Sequence, residues 1–98
     1  MVPTSSISMM FDIIRDEDVV SSYSTEQLKE MLYILQNEDL TRLRNDEGHS
    51  LLRCNPGFFA PAINKEDMER IIRLEEALIE ELRDRGERHI SPTLRYKY

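Results

Sequence analysis

The chain has 98 residues, 13 of them Lys or Arg and 19 Asp or Glu, for a formal net charge of −6. That length suits one domain with a core small enough to gain its last stability from a partner or a second copy. No apolar run approaches the ~20 residues that cross a bilayer, three Gly and four Pro exclude a collagen-like or proline-rich chain, and the acidic balance argues against a general nucleic-acid binder.

Residues 1–24 form an arm. Ile7, Met10, Phe11 and Ile14 stand at i, i+3, i+4 and i+7, the spacing of a short amphipathic helix, with Ser5 or Ser6 available as its cap. The run Ile7–Phe11 also fits a strand. Asp16–Glu17–Asp18 interrupts the apolar pattern before Val19 and Val20. Asp16 and Asp18 have the first spacing of a calcium loop but lack its glycine and distal glutamate. An arm with such a face needs a groove, in its own chain or in a neighbour.

A helix is expected over residues 25–46. Ser24 and Gln27 make a capping box, flanked by the apolar pair Tyr23 and Leu28. Leu28, Met31, Leu32, Leu35 and Leu43 lie along one face. The polar run Gln36–Asn37–Glu38–Asp39 interrupts that face, so the helix kinks or restarts there. Gly48 is the expected stop.

Residues 47–63 read as a connector. Asn55–Pro56–Gly57 is a turn signature, and Pro61 bars a regular helix. Phe58 and Phe59 sit side by side in it. They either cap the open end of a helix pair or anchor a partner. Cys54 is the single cysteine. It has no partner for an internal disulfide, and no Cys/His pair has zinc spacing. No basic stretch followed by a short apolar core opens the sequence. A reducing, cytoplasmic setting is the expectation.

Residues 64–86 carry the strongest helix pattern. Met68, Ile71, Ile72, Leu78, Ile79 and Leu82 form the stripe. Acids fill the first turn, Arg83 and Arg85 the last, and Gly86 ends it. Glu66–Arg70, Glu69–Arg73 and Glu81–Arg85 are i,i+4 pairs in the favourable order. Residues 87–98 make a short basic tail with Tyr96 and Tyr98. It folds back on the acidic helices or docks on a partner.

Two acids interrupt the stripes. Glu75 falls within the second and Asp39 within the first. In an antiparallel hairpin they lie about one turn apart, with Arg42 and Arg73 near enough to supply charge. The arrangement suits a wet edge, a polar layer that fixes register, or a ligand site. No HExxH, GxGxxG, GxxxxGK[ST] or GxSxG motif occurs, so no catalytic residue, cofactor or metal is assigned.

The expected protein is all-α: a single helical domain over 1–98, an antiparallel hairpin with a short N-terminal helix, completed by self-association into a bundle. The expected function is a non-enzymatic acidic protein–protein interaction or regulatory module, with Phe11, Phe58, Phe59, Tyr96 and Tyr98 as anchors and Asp39, Glu75, Arg42 and Arg73 as a polar layer. Its partners are itself and another protein. An acidic nucleic-acid mimic is the alternative, since eight of the 19 acids fall in residues 64–86, though five basic residues dilute them. An enzyme or small-ligand binder with its site at a subunit interface is the third reading.

Overall fold

A computed structural model describes residues 3–52 and 65–94. The fold is all-α. Helix α1 spans Thr4–Arg15, α2 Thr25–Asn37 and α3 Lys65–Asp84, with 3-10 segments at Glu17–Ser22 and Leu40–Arg42.

Helix α1 forms where the arm's periodicity placed it, and the strand reading is set aside. Its N-cap is Pro3, with no side-chain cap bond, so neither Ser5 nor Ser6 caps it. Ser6 is instead buried along with Ile7, Met10 and Ile13. Phe11 and Ile14 lie at the margin of that face, half-buried against the core. The groove that receives α1 belongs to its own chain, since α1 packs on both α2 and α3. Asp46 adds a polar tether. It accepts from the hydroxyls of Thr4 and Ser8, and its own N–H donates to Ser8 Oγ at 3.2 Å.

The capping box opens α2 as expected. The Gln27 N–H donates to Ser24 Oγ at 3.1 Å, and the Ser24 N–H to Gln27 Oε1 at 2.8 Å. The helix stops at Asn37, short of the expected 46. Asp39 explains this. Its carboxylate accepts the Thr41 N–H at 3.0 Å and the Thr41 hydroxyl at 2.7 Å, which starts a 3-10 turn in place of a further helical one. Gly48 is therefore no helix stop. It takes a φ of 82° in a tight turn where its N–H meets Asn45 O at 3.0 Å and the Leu51 N–H meets Leu43 O at 2.9 Å. A positive φ is the reason for glycine at that position.

Helix α3 ends on a hydrogen-bonded Schellman turn. Gly86 has a φ of 98°, the Gly86 N–H reaches Arg83 O and the Glu87 N–H reaches Leu82 O, each at 3.0 Å. Its buried face is Asp67, Ile71, Leu74, Glu75, Leu78, Ile79 and Leu82. Leu74 joins the expected stripe, while Met68 and Ile72 lie at its margin.

Helix α3 packs against α2 and against the first 3-10 segment. Near the start of α2, Thr25 Oγ1 accepts from Arg85 at 3.2 Å, and Lys29 pairs with Glu87 at 2.9 Å. Near the end of α2, Gln36 meets Glu75 at 2.9 Å. One hydrophobic cluster collects the inner faces of all three helices together with Leu40, Leu43, Leu51, Leu52 and Leu94. Burial of these side chains, each worth roughly 1.5–3 kcal/mol, is the main stabilising force. Among the described residues, no helix is long and apolar enough to cross a membrane.

Candidate functional site

The most unusual side chain in the core is Glu75. It is fully buried, one helical turn from Ile71, Ile72, Leu78 and Ile79 on its own helix. A carboxylate survives in such a place only if its oxygens find donors. The Oε2 atom finds three. Gln36 Nε2 donates from α2 at 2.9 Å. The N–H groups of Thr93 and Leu94 donate at 3.0 and 3.3 Å. Oε1 is buried with no hydrogen-bond partner among the described residues.

The segment that supplies those two N–H groups is held by its backbone at two more points. Gln36 Nε2 donates to Ser91 O at 2.9 Å, and Arg83 donates to Ile90 O at 3.1 Å. The Leu94 side chain is buried to 1% exposure and Ile90 packs half-buried on the core. Residues 90–93 have no regular secondary structure, so their backbone groups need partners from elsewhere. The helices provide three, for Ile90 O, Ser91 O and the Thr93 N–H.

Asp39 is not beside Glu75 in a shared polar layer. Asp39 is exposed and turned to Thr41. The Thr41 side-chain and backbone hydrogen bonds hold its carboxyl below the usual range, and Arg42 adds to this. Arg42 lies 3.6 Å away with its side chain 86% exposed, so the pair is a surface contact. Arg73 is exposed on α3. The expected layer of Asp39, Glu75, Arg42 and Arg73 thus separates into a buried carboxylate, an exposed cap with its arginine, and an exposed arginine on α3. The register estimate failed because α2 ends before Asp39.

Arg73 lines a groove of about 280 Å³ between the end of α1 and the start of α3, floored by Ile13, Ile14 and Leu74. Arg70 is in its wall, paired with Asp67 at 3.0 Å, and the Asp67 side chain is only 1% exposed. Arg70 thus turns to Asp67 rather than to Glu66. Glu81–Arg85 forms as expected, at 3.1 Å, and Arg85 reaches on to Ser21 O at 3.2 Å. A second groove, between the first 3-10 segment and α3, is lined by Glu17, Asp18, Glu80, Glu81 and Asp84 over Val20 and Ala77. Asp16, read above as half of a calcium pattern, accepts the Asp18 N–H at 3.1 Å as a cap.

Of the expected anchors, Phe11 is half-buried on the core. Phe58, Phe59, Tyr96 and Tyr98 lie outside the described residues, as does Cys54. The exposed large hydrophobic among the described residues is Tyr33, at 64%. Sequence reasoning missed Leu94, Gln36, Arg83 and Asp67. A lone leucine in a basic tail has no periodicity to betray it. Comparison with family models, with curated proteins and with solved structures returns no match.

Proposed function

We propose that this chain is a small, non-enzymatic, acidic helical interaction module that works in the cytoplasm. Helices α2 and α3 would form an antiparallel hairpin, as the Thr25–Arg85 and Gln36–Glu75 pairings suggest, with α1 laid across it. The observation that carries this reading is the seating of residues 90–94. The α2–α3 face grips an irregular segment through its backbone, with one leucine socket and a buried carboxylate. A face that grips chain in this way would serve as the working surface of a binding module.

Self-association is part of the proposal. The apolar stripes are largely covered within one chain, so a second copy would meet it at Phe11, at the exposed Tyr33 and along the groove floored by Ile13, Ile14 and Leu74. The test is the solution mass by light scattering behind a sizing column, at low and high salt. A dimer or larger species that survives salt supports the reading. A monomer at every concentration overturns the self-association.

A second reading, an acidic mimic of nucleic acid, draws on the groove lined by Glu17, Asp18, Glu80, Glu81 and Asp84. It predicts salt-sensitive binding to a basic protein that DNA displaces. Binding insensitive to salt removes it.

A further inference from the structure

The contacts of residues 90–94 share a property. Arg83 and Gln36 donate to main-chain carbonyls, of Ile90 and Ser91. Glu75 accepts two successive main-chain N–H groups, of Thr93 and Leu94. Pro92, which has no N–H, occupies the gap between the two sets. The side chains seated deeply are Leu94 and, in part, Ile90. Main-chain contacts are indifferent to sequence, and side-chain pockets supply selection. Beside Pro92 the seat continues into an open groove of about 380 Å³ with Glu76, Ile79, Glu80 and Arg83 in its wall.

We propose that the α2–α3 face is a peptide-binding groove, occupied in cis by the chain's own residues 90–94, and that it serves a partner segment of the same chemistry. That segment carries a leucine four residues after an apolar residue, with free N–H groups at the leucine and the residue before it. The proposal deepens the interaction-module reading by naming the class of partner.

The cis segment sets the threshold for binding. It is tethered to α3 by a short turn at Gly86, and a short tether holds a ligand at an effective concentration in the millimolar range. A free peptide therefore competes poorly with it. Loosening the cis segment without touching the helices opens the groove. Thr93→Pro does this by deleting an N–H that Glu75 accepts. Leu94→Asp does it by placing a charge in the socket.

The experiment uses the full chain and a fluorescent peptide of residues 87–98. Polarisation should show peptide binding to both variants at least tenfold tighter than to the native chain. A peptide with aspartate in place of its leucine should not bind. Circular dichroism shows that each variant keeps its helices, and two variants guard against one failing to fold. Equal binding to native and loosened chains overturns the proposal. So does no binding by folded variants up to about millimolar peptide, or equal binding of the aspartate peptide. A native chain that stays monomeric yet whose variants take up peptide defeats self-association and leaves this groove standing. A salt-resistant dimer whose variants take up no peptide does the reverse.

Discussion

Replacing Glu75 with leucine asks whether the buried carboxylate is a liability or a fastener. Swapping a buried charge for an apolar residue often stabilises a protein, because desolvation costs several kcal/mol per ion. That outcome requires the charge's partners to be replaceable too. Here two of the three donors to Oε2 are backbone N–H groups, of Thr93 and Leu94, which no substitution at position 75 removes. Each donor left buried and unpaired costs about 1–3 kcal/mol. The chain limits the damage by releasing the segment to water, which forfeits the burial of Leu94, worth about 1.5–3 kcal/mol. Set against the relieved desolvation, which offsets part of this, Glu75→Leu should lose about 1–2 kcal/mol. Glu75→Gln keeps one acceptor oxygen and the shape. It should lose about 1–2 kcal/mol, the difference between charge-assisted and neutral hydrogen bonds. Urea unfolding followed by circular dichroism measures both. The leucine variant should also show a smaller dependence on urea, since less surface is buried. A leucine variant as stable as the native chain would refute the reasoning.

Three further perturbations test other parts of the fold. Arg70→Leu removes the guanidinium paired with Asp67, whose side chain is only 1% exposed, and should cost about 1–2 kcal/mol because Asp67 keeps another partner; a change under about 0.5 kcal/mol in urea unfolding contradicts that. Ser24→Ala breaks the capping box of α2 and should cost about 1 kcal/mol, with Ser24→Gly milder; an alanine variant as stable as the native chain would mean that the side-chain bond contributes nothing. The Tyr23 hydroxyl is held above its ordinary value of 10.0, first by burial and then by the charge and hydrogen bond of Asp12. Stability is therefore full below about pH 10 and falls as pH rises through the higher folded value. Tyr23→Phe should flatten that alkaline decline in unfolding temperature between pH 8 and 11, and an unchanged slope would count against it.

The fold was legible wherever one signal repeated. Four apolar residues at helical spacing identified α1. A cap, a stripe and a dipole-matched charge pattern identified α3, and the capping box marked the start of α2 to the residue. What the sequence hid were events decided by a single side chain. Asp39 ends the helical region by capping its own neighbour, and nothing in a 3.6-residue pattern distinguishes that from an acid on a wet helix face. Glu75 was noticed as an interruption of the stripe. Its burial depends on Gln36 and on residues 93–94, which come from separate parts of the chain. Leu94 covers the core from a segment without periodicity. The pairing of Glu75 with Asp39 failed because it extrapolated a register through a helix that had already stopped.

The seating of the C-terminal segment is the central claim, and hydrogen exchange at two amides tests it most directly. The N–H groups of Thr93 and Leu94 should exchange slowly by NMR, with protection approaching that of α2 and α3, and Glu75→Gln should lower the protection of both together while the helix amides keep theirs. Exchange of Thr93 and Leu94 at the rate of an unstructured peptide, beside protected helices, would contradict the account.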